Sequence, residues 1–201
     1  MHTHVRSAVT GLCIILLAGC GVTGPSRHYI LTPAEVTATQ AIPAAGPSLG
    51  IGPVAFPAYL DRPEIVHRSG HNQLHFAGSD RWAEPLKTNF TRTLAENLSR
   101  LLPTDHITLH PWPRSAAIDY RVGVDVVRFD ADAAGRVVLE AGWVIERTAD
   151  GTIVDRRKTG YTEDAGGLDY PALVAAQSRA LERFSRDIAE SIRREAATAR
   201  P

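Results

Sequence analysis

Ile118-Asp119-Tyr120-Arg121-Val122-Gly123-Val124-Asp125-Val126-Val127-Arg128-Phe129 is the stretch on which the fold turns. From Ile118 to Val126 apolar residues alternate strictly with charged residues or glycine. A period of two belongs to a strand with one buried face. After Val126 the phase slips, and a β-bulge near Val126-Val127 accounts for the apolar Phe129 at an odd position. Gly135 leads into Val137, Leu139, Ala141, Trp143 and Ile145, again at period two. Asp150-Gly151 is a hairpin turn signal, and Thr152 to Tyr161 returns. The spacing predicts an antiparallel meander of three strands.

Two helical patterns flank it. Downstream, Asp169 offers a cap, Pro171 fits a first turn, and Leu173, Gln177, Leu181, Phe184, Ile188 and Ile192 line one face. Glu182–Arg186, Arg183–Asp187 and Glu190–Arg194 are spaced as surface pairs. Upstream, Trp82, Leu86, Phe90, Leu94, Leu98 and Leu102 recur every four residues. Ser79-Asp80 is a candidate N-cap there, Pro85 belongs in a first turn, and Pro103 ends the segment. His106 to His110 reads as a short strand, and Glu64–His67 with Gln73–Phe76 as a hairpin. Leu49 to Val54 is a further strand. Its two glycines lack the third glycine and following helix of a dinucleotide site, so they read as positions of close backbone approach. The expected fold is α+β, a two-layer sandwich of a mostly antiparallel sheet with two long helices on one face.

The N-terminus carries a different message. His2, His4 and Arg6 precede an apolar run from Ala8 to Leu17, then Leu17-Ala18-Gly19-Cys20. Weakly basic head, short apolar core and small-residue site together describe a secretory signal peptide over residues 1–19. The run is shorter than the ~20 residues that span a bilayer. Leu17, Ala18, Gly19 and Cys20 resemble the bacterial lipobox, the recognition sequence of lipoprotein signal peptidase. That chemistry needs a thiol to take the diacylglycerol and small residues to enter a narrow cleft. Cys20 is then the mature N-terminus and contacts the membrane through its acyl chains, at ~0.8 kcal/mol per buried methylene. Gly21, not Asp, follows it, which points to the outer membrane with the domain facing the periplasm. Residues 20–48 read as a lipidated N-terminus and flexible tether: Gly21–Ser26 is small and polar, His28–Leu31 could form a short strand, and Thr37–Ser48 is rich in Ala, Thr and Pro. Residues 49–201 form the single periplasmic domain.

Of the 22 Lys and Arg only Arg6 lies in the signal, and none of the 22 acids does, so the mature chain has 21 basic and 22 acidic residues. That balance gives no footprint for nucleic acid. Cys13 leaves with the signal and Cys20 is lipidated, so no disulfide staples the mature domain.

Motifs for chemistry are sparse. There is no Gly-x-Ser-x-Gly, His-Glu-x-x-His, Cys-x-x-Cys or phosphate loop. His67, His71 and His75 flank the hairpin turn; they read either as a weak periplasmic zinc or copper site or as a solvated surface. No cofactor is implied. Tyr59, Leu60, Arg62, Pro63, Arg81, Trp82 and Glu84 cluster at two proline-marked junctions and include residue types that carry interface energy. Leu60 and Trp82 equally suit a core, and Arg81–Glu84 a local pair.

Gly52-Pro53-Val54, Pro57-Ala58-Tyr59-Leu60-Asp61-Arg62-Pro63, Ile65-Val66-x-Arg68, Asn72-x-Leu74, Arg81-Trp82-Ala83-Glu84-Pro85-Leu86 and Pro111-Trp112 occur in that order. With the lipobox they resemble the PqiC/YmbA-type lipoproteins, ABC-type transport auxiliary lipoprotein components, over residues 20 to about 160. One departure is Gly78, where an acidic residue is expected. The resemblance implies a non-enzymatic subunit of an intermembrane lipid transport system of the mammalian-cell-entry (MCE) type, at the outer-membrane end, with an MCE-domain periplasmic protein as partner. The Tyr59–Pro63 loop and the Arg81–Glu84 junction would lie near the docking surface, including contacts between copies in a homo-oligomeric ring. The alternative is an outer-membrane lipoprotein that regulates a cell-wall or envelope-assembly machine by binding it.

Overall fold

The computed structural model describes residues 25–35, 46–102 and 104–198. The signal peptide and Leu17-Ala18-Gly19-Cys20 lie outside the described residues. In chain order the elements are β1 (Arg27–Tyr29), β2 (Leu49–Ala55), β3 (Glu64–Gly70), β4 (Gln73–Trp82), α1 (Leu86–Leu101), β5 (Ile107–Leu109), β6 (Tyr120–Ala131), β7 (Arg136–Arg147), β8 (Thr152–Asp164) and α2 (Tyr170–Thr198).

The meander forms as its alternation predicts. β6 pairs with β7 and β7 with β8, both antiparallel, and the register of β6 shifts between Val126 and Arg128. Val122, Val124 and Val126 on β6 and Leu139, Ala141, Trp143 and Ile145 on β7 are buried on the helix side. Across the bulge Phe129 rejoins that face, fully buried. Its ring meets Phe90 of α1 edge-on at 5.5 Å, and Phe90 in turn lies 6.1 Å from Phe184 of α2. Both helices and the meander thus close on one aromatic cluster. Gln177, the polar residue in the α2 stripe, donates to the Phe129 carbonyl at 3.3 Å.

The remaining strands extend the meander into an eight-stranded sheet. The long ladders, β6–β7, β7–β8 and β3–β4, are antiparallel. The shorter additions are parallel: β2 on β6, β5 on β2, β3 on β6 at His67–Ala131, and β1 on β4. Gly52 has φ +118°, and a Cβ there would sit 2.6 Å from the His110 side chain, the close approach its strand pattern suggests. Gly135 has φ +81° and backs onto the Gly167 carbonyl, where a Cβ would lie at 2.2 Å.

Four local readings need correction. Ser79-Asp80 does not cap a helix; both lie in β4, and α1 starts at Leu86 after Pro85. Trp82 ends that strand, buried in the core, and does not begin the helix stripe. Asp80 suits a strand here because its carboxylate is paired with Arg27 and Tyr29 of β1, partners more than fifty residues away. Arg183 does not pair with Asp187 but reaches Glu163 on β8, while Asp187 accepts from Tyr161. Finally, the expected tether is in part folded. The short strand read at His28–Leu31 forms as residues 27–29 of the sheet, and beyond it Leu31 and Ala34 are 2% and 3% exposed.

Candidate functional site

The folded part of the N-terminal arm is held by side chains that the helix patterns leave unexplained. Asn89, Thr93 and Asn97 are polar yet buried on α1. Buried amides require partners. Asn89 accepts from the Leu31 N–H at 2.7 Å and Asn97 from the Ala34 N–H at 2.8 Å. Ser178 of α2 accepts from the Thr32 N–H at 3.1 Å, and Asn97 also donates to Ser185 of α2 at 3.1 Å. Arg100 closes the far end on the Ala34 carbonyl. After β1 the chain is therefore a strap laid over the groove between α1 and α2, with its backbone satisfied by their side chains.

Asp80 secures the start of that strap. It accepts from Arg27 at 2.9 Å and from Tyr29 at 2.7 Å. Burial pushes the Asp80 carboxyl up, but the bonds from Arg27 and Tyr29 and the Arg27 charge outweigh it and hold the group below the ordinary carboxylate value.

The seven residues read as a partner surface are distributed by the fold. Leu60 and Trp82 are 3% and 5% exposed and belong to the core. Pro63 accepts the Trp82 N–H on its carbonyl at 2.7 Å. Tyr59 donates to the fully buried Asp130 at 2.8 Å. Asp130 also takes Arg68 at 3.0 Å and Arg128 at 2.8 Å, so two guanidinium groups neutralise the buried carboxylate. Burial first, and then the bond to Asp130, push the Tyr59 hydroxyl up to about 12. Glu84 pairs with Arg92 and accepts from Asn89 at 2.7 Å, which orients Asn89 toward the strap; no Arg81–Glu84 pair forms.

Arg62 and Arg81 do come together. They flank Glu64 at 3.2 and 3.7 Å. The Arg62 guanidinium lies 3.8 Å over the ring of Phe76, which is 39% exposed. Arg62, Glu64, Phe76 and Arg81 form one outward patch on the β3–β4 hairpin. Glu64 and Phe76 are the members that sequence reasoning missed; both lie in the strands it identified, but only the register of β3 on β4 shows that they share a surface.

His67 and His75 face each other across the hairpin with ring centroids 4.7 Å apart. His71 sits at the turn. Burial lowers the His67 pKa. Among the described residues no group of three His, Cys, Asp or Glu side chains is placed to hold a metal ion, and no helix is long and apolar enough to cross a membrane.

The model of the family described as ABC-type transport auxiliary lipoprotein component matches residues 29–189. Its match begins inside β1, so the strap lies within the matched region. Among solved structures, a protein of Xanthomonas campestris aligns with a TM-score of 0.70 at 19% identity, covering 86% of this chain and 99% of that one. A second, described only as an uncharacterized protein, aligns with a TM-score of 0.68 at 22% identity, covering 84% and 99%. At these identities the likeness is one of fold. No curated protein matches the chain.

Proposed function

The chain belongs to the family of ABC-type transport auxiliary lipoprotein components, and we propose that it serves such a transporter as a non-enzymatic subunit, anchored in the outer membrane through Cys20 and docking a periplasmic MCE-domain protein. The family makes it a lipoprotein of the cell envelope that assists a transporter. What the fold adds is a surface suited to holding a protein.

The observation that carries the reading is the Arg62–Phe76–Arg81 patch. An aromatic ring stacked under a guanidinium at the surface joins a type that carries interface energy, arginine, to an apolar face that a partner can cover. Glu64 holds both arginines in place, so little side-chain freedom remains to be lost on docking.

The test uses the full-length lipoprotein crosslinked in its own membranes, with mass spectrometry of the captured proteins. An MCE-domain protein is expected among them, and Phe76→Ser with Arg62→Ser is expected to lower its capture by about tenfold or more, as loss of a central interface cluster does. The double variant should keep its circular dichroism, since both side chains are substantially exposed. Capture of a cell-wall or envelope-assembly factor in place of an MCE protein, or unchanged capture by the folded double variant, overturns the reading.

A further inference from the structure

We infer that one end of the domain, the tip of the β3–β4 hairpin with the β6–β7 turn and the Gly166–Leu168 loop, rests on the surface of the bilayer that holds Cys20. The inference rests on the anchoring of Cys20 proposed above and adds an orientation to it.

Strand directions define the end. β3 runs parallel to β6, so the turn at His71-Asn72 and the turn after Ala131 lie at the same end of the sheet. β8 finishes there too, and the Gly166-Gly167 segment packs on Gly135. β4 leaves this end, and β1 is parallel to β4. The chain therefore enters the fold from the hairpin-tip side.

Covalent length then limits the stand-off. Arg27 lies beside Asp80, eight residues along β4 from Asn72; at ~3.3 Å per residue the tip is about 26 Å beyond it. Cys20 precedes Arg27 by seven residues, and a fully extended chain covers at most about 25 Å over that distance. An arm drawn straight back along β4 brings the lipidated residue only level with the tip. Any slack brings the bilayer closer to the domain. Had residues 21–48 all been tether, no such limit would exist; the pairing of Arg27–Tyr29 with β4 creates it.

The surface at this end suits a headgroup layer. Arg68 and Arg128 neutralise Asp130, Arg136 pairs with Asp132 at 2.7 Å, and the exposed Asp164 and Asp169 accept backbone N–H bonds from Gly166 at 2.8 Å and Ala172 at 3.3 Å. Leu168 is 40% exposed beside the turn. The opposite end, with the β7–β8 turn at Ala149–Gly151, is then directed into the periplasm.

The mature chain has no cysteine besides Cys20, so single labels are straightforward. Asn72→Cys and Ala149→Cys, both at exposed turns, are made in the full-length lipoprotein. Each is labelled with a fluorophore and reconstituted in phosphatidylethanolamine–phosphatidylglycerol vesicles that carry headgroup spin-labelled lipid. Loss of emission is expected at position 72 and not at 149. A spacer of about twelve Gly and Ser residues after Gly21 is expected to restore the emission at 72. Acylated protein that stays bound to vesicles with position 72 unquenched, or with both positions quenched equally, overturns the orientation alone. Mass spectrometry showing Cys20 unacylated overturns the anchoring reading and the orientation with it.

Discussion

The strap of residues 30–34 and the meander of β6, β7 and β8 both pack against the core, yet they are held by opposite means. The meander is held by alternating apolar side chains whose strand partners are joined to it by short turns. The strap offers two apolar anchors, Leu31 and Ala34, and otherwise depends on its backbone N–H groups meeting Asn89, Asn97 and Ser178. Apolar burial scales with area and tolerates repacking, whereas a buried amide without its acceptor costs the full desolvation of that group. The first region should fail by loss of the whole fold, the second by local release.

The largest effect is expected in the meander's aromatic cluster. Phe129 is fully buried and touches Phe90. Phe129→Ala should lower unfolding free energy by about 3–5 kcal/mol, the usual range for a buried phenyl ring. Chemical denaturation followed by circular dichroism measures it. A loss below about 1 kcal/mol would mean that the cluster collapses around the gap, and that the meander is less sharply packed than these contacts imply.

Next comes Asn97→Ala, which strands the Ala34 N–H and removes the bond that the Ser185 hydroxyl accepts. About 1–3 kcal/mol is expected, the cost of a buried group left without its bond. Where it falls matters more than its size. Hydrogen exchange should quicken at Leu31–Ala34 well beyond the change seen in β6 and β7. Uniform acceleration over strap and meander alike would join the two regions into one unfolding unit and erase the contrast.

The same contrast explains what was legible in the sequence. Period-two alternation, the slip at Val126-Val127, the Asp150-Gly151 turn and the four-residue spacing from Leu86 to Leu102 all act between near neighbours, and each appears in the fold where the pattern puts it. The strap was illegible because its partners lie 58 to 146 residues away in sequence. A composition that reads as mobile on its own becomes ordered when another element supplies the acceptors. There was a trace: Asn89, Thr93 and Asn97 repeat at helical spacing as a polar stripe on α1, on a helix otherwise explained by its leucines. A stripe of that kind is a request for a backbone partner. Asp80 misled for a related reason, since a short acidic residue before a helical pattern resembles a cap. The docking patch was half legible. Arg62 and Arg81 stand out by residue type, but Phe76 emerges only with the hairpin register.

The smallest effect on global stability concerns the start of the strap. The Asp80 carboxyl is held below its ordinary value of about 4 in the folded state. A depressed carboxylate contributes stability that is present above the unfolded value and lost as pH falls through the folded one. The β1–β4 pairing should therefore be intact at neutral pH and loosen only below about pH 4. Only three residue pairs form that ladder, and the Arg27 side chain is 62% exposed, so the whole fold should barely respond. Exchange at Arg27–Tyr29 should rise as the solution is acidified, while β7 stays protected. Asp80→Asn should remove this dependence on acid and leave β1 loosened at neutral pH as well. Were β1 equally protected in the variant at pH 7, the arm would be held by the strap's contacts to Asn89, Asn97, Ser178 and Arg100. The entry point of the chain into the fold, and with it the reach of the lipid anchor, would then be set at Leu31 and not at Arg27.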